Sequence, residues 1–205
     1  MTTKKQLKFI HITKNAGTSI ENIGRRYGLE WGLRDPVVRS LHDPKCHGWH
    51  RFLPYNDTTA KYDWFMVIRD PFSRILSDTI YISSIYKADY STKELLNLNL
   101  QKYIGKMLVN SCEDRFHPEG DHFSRQSDYL TKGLTIHVLK FENLQSEFEA
   151  LMEKYSLPCI LSIHDNASVN PYTYTVKDLS EDSIALIKKV YEKDFTLFGY
   201  PLSVV

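Results

Sequence analysis

A lysine, an asparagine, two small residues and two hydroxyl residues lie together in one short segment: Lys14, Asn15, Ala16, Gly17, Thr18 and Ser19. Small residues let the backbone approach an anion closely, and N–H groups, hydroxyls and an ammonium can all donate to it. The lysine precedes the glycine, so the segment is not a Walker A motif, which ends in Gly-Lys-Ser/Thr. The alternative is an ordinary glycine-containing turn with a solvated lysine. The residue types predict an anion-binding loop.

A second pair of anion-binding residue types occurs at Arg69 and Ser77. Arg69 directly follows an apolar run, and Ser77 comes about two turns into the helix that we predict after it. A guanidinium and a hydroxyl placed in this way can converge on one phosphate group. The alternative is that Arg69 pairs with Asp70 or another carboxylate and that Ser77 bonds to its own helix. Two anion-binding positions in one chain predict a ligand with separated phosphates.

The elements that must position these residues alternate between strands and helices. Three β-like runs, 7–12, 63–68 and 135–141, are each followed by a segment with helical features. The first predicted helix covers 19–27, and the second begins at Pro71 with Asp70 as its cap. The third extends from Leu144 towards Pro158, and Ser180 caps a fourth. Such alternation predicts an α/β fold with a mostly parallel sheet covered by helices, and ligands bind at the carboxyl ends of its strands.

Composition indicates one globular domain over residues 1–205. Hydrophobic residues make up 42% of the chain and aromatic residues 13%, and no linker divides it. The 26 Lys and Arg are balanced by 25 Asp and Glu, which argues against a general nucleic-acid binder held by phosphate neutralisation. Three widely spaced cysteines (Cys46, Cys112 and Cys159) favour reduced thiols. No signal-peptide pattern or membrane-length apolar run occurs, so we expect a soluble, cytoplasmic protein.

Several segments together resemble a known family. FIHITKNAGTSIE is similar to the 5′-phosphosulfate loop, and VIRDPFSRILS to the 3′-phosphate segment, of sulfotransferases that use 3′-phosphoadenosine 5′-phosphosulfate (PAPS). They particularly resemble the carbohydrate branch, which includes the Golgi heparan 2-O- and chondroitin/dermatan sulfotransferases and shorter bacterial and viral relatives. Four further segments extend it over nearly the whole chain: CHGWHRFLPY, HFSRQSDYL, HVLKFENLQSEFEALMEKY and YEKDFTLFGYP. Thr13 departs from the proline that relatives often carry.

The resemblance implies a P-loop-like, three-layer α/β fold and a role for each motif. Residues Lys14 to Ser19 would hold the 5′ phosphosulfate, and Arg69 and Ser77 the 3′ phosphate. The implied reaction moves a sulfuryl group from PAPS to a hydroxyl, with a carbohydrate as the leading acceptor. Lys14 would stabilise charge on the leaving nucleotide. A sulfuryl group carries less charge than a phosphoryl group and no magnesium-type acidic loop is present, so we expect no metal requirement.

Histidines supply candidates for the base that takes the acceptor proton, since their ordinary pKa is near ~6.5. His50 ranks first, because Trp49-His50 matches the Trp-His form found in relatives; His47 ranks second, with His122 behind them. A zinc site that includes these histidines is an alternative, but no second Cys/His pair at finger spacing follows. His11 and His137 lie in predicted strands and are expected to be core or supporting residues.

The remaining predictions concern loops and competing functions. His122, Arg125 and Gln126 lie in a polar loop that approaches the acceptor in relatives, so they are candidate substrate contacts; a solvated loop is the alternative. The polar segment 166–177 is a candidate lid over the nucleotide. Two other functions stay open: a P-loop nucleotide kinase that uses ATP, and a non-catalytic module that binds a nucleotide or a glycan.

Overall fold

The computed structural model describes residues 5–40, 50, 52–109, 122–161 and 172–204. These residues form three strands, β1 (Leu7–Ile10), β2 (Asp63–Ile68) and β3 (Ile136–Lys140), which make a parallel sheet in the order β1-β2-β3. The α-helices of the described residues are α1 (Gly17–Arg26), α2 (Pro36–Ser40), α3 (Pro71–Ile85), α4 (Lys93–Val109), α5 (Leu144–Tyr155), α6 (Glu181–Val190) and α7 (Glu192–Phe198). The prediction of an α/β fold with a parallel sheet flanked by helices is confirmed.

The chain divides into two compact units. The first comprises Met1–Arg69 and Asp128–Ala167, and the second comprises Asp70–Ser127 and Ser168–Val205. The sheet, α1, α2 and α5 belong to the first unit, whereas α3, α4, α6 and α7 belong to the second. That the whole chain acts as a single domain stays a prediction.

The core of the first unit lies where α1 and α5 pack on the sheet. Phe9 of β1 is in register with Phe65 of β2, and their ring centroids lie 4.9 Å apart. Trp31 packs edge-on against Phe65 at 5.0 Å and donates its indole N–H to the Leu7 carbonyl at 3.0 Å. The helices add Ile20, Ile23, Phe148 and Leu151 to this core. This packing fixes α1 against β1 and thereby positions the loop between them.

The second unit is helical, and its caps match the sequence signals. Asp70 caps α3 by accepting a hydrogen bond from the Ser73 N–H at 2.8 Å, and Pro71 is the first residue of that helix. Ser180 caps α6. Helix α4 has no counterpart in the sequence-based prediction. Its buried residues Leu96, Leu100 and Ile104 recur every four positions, which is the helical signal that could have found it.

A hydrogen-bonded trio crosses the amino-terminal end of the sheet in the first unit. The Tyr155 hydroxyl donates to Asp63 Oδ2 at 2.6 Å, so its oxygen accepts from His137 Nε2 at 2.8 Å. Burial, with the adjoining Asp63 carboxylate, raises the pKa of Tyr155. Partial burial, reinforced by the Lys154 ammonium, lowers the pKa of His137. His137 is thus a structural residue, at the sheet end opposite the predicted site.

The lowered pKa of His137 predicts a loss of stability in acid. The unfolded chain takes up a proton at this residue as the pH falls below about 6.5, before the folded chain does. The free energy of unfolding therefore decreases between about pH 6.5 and the lower folded pKa. Urea unfolding from about pH 7.5 to about pH 5.5 should show a steeper decrease for the natural protein than for His137→Gln. Parallel decreases in the two proteins would contradict this role.

Candidate active site

The loop between β1 and α1 has an unusual backbone. Lys14 and Ala16 both have left-handed conformations, with φ angles of 60° and 61°. Residues other than glycine rarely adopt this conformation, and when they do it is concentrated at functional sites. Ala16 is the residue that precedes the first turn of α1. The loop therefore holds a strained shape at the position where the sequence predicts anion binding.

The amino terminus of α1 differs from those of α3 and α6. No side chain caps this end of the helix in the described part of the chain, and its first turn has no acidic residue. By contrast, Asp70 caps α3 and Ser180 caps α6. The first N–H groups of a helix lack intrahelical partners and lie at the positive end of its dipole. The Gly17–Ser19 backbone is therefore suited to hold a negatively charged group.

Two hydrogen bonds join this loop to the carboxyl end of β2. The Asn15 side-chain amide donates to the Val67 carbonyl at 2.7 Å, and Asn15 is buried. Arg69 Nη1 donates to the Lys14 carbonyl at 3.3 Å, while the guanidinium lies 4.4 Å from the centre of the Phe141 ring. The structure therefore brings together Lys14 and Arg69, which the sequence assigned to two separate phosphate-binding segments.

The His11 side chain packs against Gly17 at the start of α1. A Cβ atom on Gly17 would stand 2.1 Å from His11 Nε2, so only glycine fits at this position. His11 Nδ1 lies 2.7 Å from Glu21 Oε1, and the His50 ring approaches His11 edge-on at 4.7 Å. Among the candidate bases, His50 is thereby placed beside the anion loop. His47 lies outside the described residues.

Ser77 lies in α3, within the second unit, and is half-buried. The next residue, Asp78, is completely buried. The assignment of Ser77 to a phosphate stays a prediction.

The first candidate acceptor contact, His122, is anchored by buried charges of α3. Arg74 donates to the carbonyl of His122 at 2.7 Å and to that of Ser124 at 2.8 Å. Asp78 Oδ1 lies 2.7 Å from His122 Nδ1, and Tyr81 stacks on the imidazole at 5.4 Å. We did not predict Arg74 and Asp78 from the sequence. They are the only charged residues of α3 and lie four positions apart, and this spacing was a signal that could have found them.

The other two candidates, Arg125 and Gln126, are held through the carboxyl-terminal helices. Arg125 Nε donates to the Val190 carbonyl at 2.7 Å. Gln126 is fully buried, and its backbone N–H donates to Asp194 Oδ2 at 2.9 Å. This part of the loop is thus an anchored structure, and its contact with an acceptor stays a prediction. The candidate lid is described only from residue 172 onwards; residues 166–171 lie outside the described residues.

The described residues define an α/β protein whose first strand–helix junction has a left-handed loop and an uncapped helix amino terminus. The chain matches the model of the sulfotransferase family over residues 1–201, and it therefore belongs to the sulfotransferase family. It is accordingly a transferase, of a family that moves sulfuryl groups. No curated protein and no solved structure matches the chain.

Two properties of the described residues bear on metals and membranes. Between residues 5 and 204, outside the gaps given above, no group of three or more His, Cys, Asp or Glu side chains is arranged to hold a metal ion. Within the same ranges, no helix combines the length and apolar character that crossing a membrane requires. The absence of a metal requirement and the cytoplasmic location stay predictions.

Proposed function

We propose that this sulfotransferase moves a sulfuryl group from PAPS to a hydroxyl acceptor, with a carbohydrate as the leading acceptor class. The observation that carries the proposal is the uncapped amino terminus of α1. The loop before it contains the left-handed Lys14, whose backbone carbonyl accepts a hydrogen bond from the Arg69 guanidinium. Backbone N–H donors and a guanidinium thus lie near one loop, and the chain belongs to the sulfotransferase family. PAPS carries its two anionic groups on one ribose, so neighbouring strand ends are a suitable place for it.

The 5′ phosphosulfate is assigned to the loop and to the first turn of α1. Its oxygens would accept from the N–H groups of Gly17, Thr18 and Ser19, which no side chain caps within the described residues. Thr18 is exposed and can add its hydroxyl, whereas Ser19 is buried and contributes through its backbone. Asn15 is assigned the role of fixing the loop, since its side-chain amide donates to Val67.

Sulfuryl transfer at this loop needs a base and a stabilised leaving group. The acceptor O–H bond breaks and its proton passes to an imidazole nitrogen of His50, while the acceptor oxygen forms a bond to sulfur. The bond between sulfur and the bridging oxygen breaks, and the electron pair stays on the 5′ phosphate. Lys14 stabilises this growing charge. The products are the sulfated acceptor and adenosine 3′,5′-bisphosphate.

The two competing functions differ from this proposal in testable ways. A nucleotide kinase needs magnesium and ATP, and the order of lysine and glycine in the loop weighs against it. A non-catalytic module would bind the nucleotide without turnover. Incubation with sulfur-labelled PAPS across sugars, phenols, small alcohols and tyrosine peptides separates these cases. The proposal predicts labelled product with at least one acceptor; tight PAPS binding without transfer to any of them indicates the binding module.

Arg69 is expected to contribute mainly to nucleotide affinity. Loss of its charge-assisted hydrogen bonds, which contribute about 1.5–3 kcal/mol, should weaken binding of adenosine 3′,5′-bisphosphate about 10- to 100-fold in Arg69→Ala. Arg69→Lys keeps the charge without the planar fork and should lose less. Arg39→Ala, at an exposed position of the first unit, is the matched control. Isothermal calorimetry measures all four proteins, and unchanged affinity in Arg69→Ala would remove Arg69 from the nucleotide site.

A further inference from the structure

A largely buried histidine–glutamate pair lies next to Gly17, the first residue of α1. His11 is only 6% exposed, and its Nδ1 lies 2.7 Å from Glu21 Oε1. The same carboxylate oxygen accepts the backbone N–H of Leu33 at 3.0 Å, so Glu21 is itself held in place. Gly32 has a φ of 59°, and a Cβ there would stand 1.8 Å from Glu21 Oε1. The glycine at position 32 therefore leaves room for this carboxylate in its observed position.

His11 and Glu21 are not among the buried hydrophobic residues that make up the core of the first unit. Burying a titratable ring and a carboxylate costs free energy, and an apolar side chain of similar volume packs without that cost. A carboxylate can only accept, so the hydrogen bond places a hydrogen on His11 Nδ1 and fixes the orientation of the ring. The proposed chemistry gives no role to either residue. A fixed imidazole at this point therefore calls for a functional explanation.

The oriented His11 ring touches two parts of the candidate site. It fills the space beside Gly17 at the start of α1, where a Cβ would be 2.1 Å from Nε2. It also meets His50 in an edge-to-face contact, with a centroid distance of 4.7 Å and an angle of 71° between the ring planes. Edge-to-face contacts between rings have a preferred geometry and therefore restrain orientation. The Tyr129 hydroxyl donates to the His50 carbonyl at 3.4 Å and restrains its backbone.

We propose that Glu21 and His11 are positioning residues for His50, with Glu21 orienting His11 and the His11 ring restraining the imidazole of the base. This inference rests on the proposed function, because it assumes that His50 takes the acceptor proton. His11 itself does not touch the reactants in this assignment, since it is buried against Gly17 and bonded to Glu21. Its contribution is to hold the base in the reactive orientation.

The test compares His11→Gln, Glu21→Gln and His50→Gln, alone and combined, by measuring kcat and the donor Kd. His11→Gln removes the ring and should lower kcat about 10- to 100-fold, the range typical of a misplaced catalytic group, with donor Kd within about twofold. Glu21→Gln keeps an oxygen for Leu33 and should lose less. Since His11 acts through His50, adding His11→Gln to His50→Gln should cause no further loss of kcat.

His137→Gln is the matched control, because His137 is a partly buried histidine of the same unit with a tyrosine partner. Its kcat should equal that of the natural protein. A His11→Gln protein with natural kcat, or a double variant whose losses multiply, would overturn the positioning role while leaving the proposed function intact. Natural kcat in His50→Gln would instead overturn the base assignment. If thermal denaturation shows that His11→Gln does not fold, Glu21→Gln with and without His50→Gln provides the same comparison.

Discussion

His50→Gln is expected to lower kcat by about 10²- to 10⁴-fold, the loss typical of removing a general base, while the affinity for adenosine 3′,5′-bisphosphate stays near its natural value. Glutamine is similar in size and can form hydrogen bonds but cannot take up the acceptor proton. The residue lies beside the anion loop through its contact with His11 at 4.7 Å, and this geometry supports the assignment. Single-turnover transfer of labelled sulfate from saturating PAPS measures the chemical step directly.

His47→Gln is the companion experiment, because the sequence leaves His47 as the second candidate for the base. We expect a smaller effect on kcat from this substitution than from His50→Gln. Natural turnover in His50→Gln together with an inactive His47→Gln would transfer the base assignment to His47. Reduced affinity for the nucleotide at unchanged kcat in His50→Gln would show that His50 contributes to binding rather than to proton transfer.

Lys14→Ala should lower kcat by about 10²- to 10³-fold, as expected when one preorganised charge at the reacting group is lost. The left-handed backbone at this position, with φ of 60°, places equal steric demands on lysine and alanine, so the substitution mainly removes the ammonium. Lys14→Arg retains a positive charge and should keep part of the activity. Rapid-quench measurement of the first turnover separates this loss from any change in product release.

Lys87→Ala is a matched control for the lysine substitution. Lys87 is exposed in the second unit and also has a left-handed backbone, with φ of 53°. Its replacement should leave both kcat and the unfolding temperature close to natural values. A Lys14→Ala protein that raises only the KM for PAPS, with kcat unchanged, would contradict a role for Lys14 in stabilising the leaving nucleotide.

Local signals predicted much of the fold. β2 runs from Asp63 to Ile68 as the apolar run indicates, and Asp70 with Pro71 opens α3, because these signals depend on adjacent residues. The predicted boundaries were less accurate at the first strand–helix junction: β1 ends at Ile10 rather than residue 12, and α1 begins at Gly17 rather than Ser19. Here tertiary contacts decide the boundaries, since Asn15 bonds to Val67 and the His11 ring packs on Gly17.

In the candidate site, too, local motifs were predictable from the sequence and contacts between distant residues were not. Residue types alone indicated an anion loop at Lys14 and a cation at Arg69. From the sequence we predicted that His11 is a core or supporting histidine. Its partners Glu21 and His50 lie in two other segments of the chain, so the sequence did not reveal these contacts. The anchoring of His122 by Arg74 and Asp78 likewise joins residues more than 40 positions apart. Partners at such separations are determined by packing of the elements and not by any local motif.

Calorimetric titration with adenosine 3′,5′-bisphosphate tests most directly the central claim that the loop at α1 and Arg69 hold one doubly phosphorylated adenosine. We expect adenosine 3′,5′-bisphosphate to bind tightly without magnesium and adenosine 5′-phosphate to bind clearly less tightly. ATP should also bind less tightly, whether or not magnesium is present. Arg69→Ala should reduce the difference between the bisphosphate and the 5′-phosphate. Equal affinity for these two ligands, or a preference for ATP that depends on magnesium, would contradict the central claim.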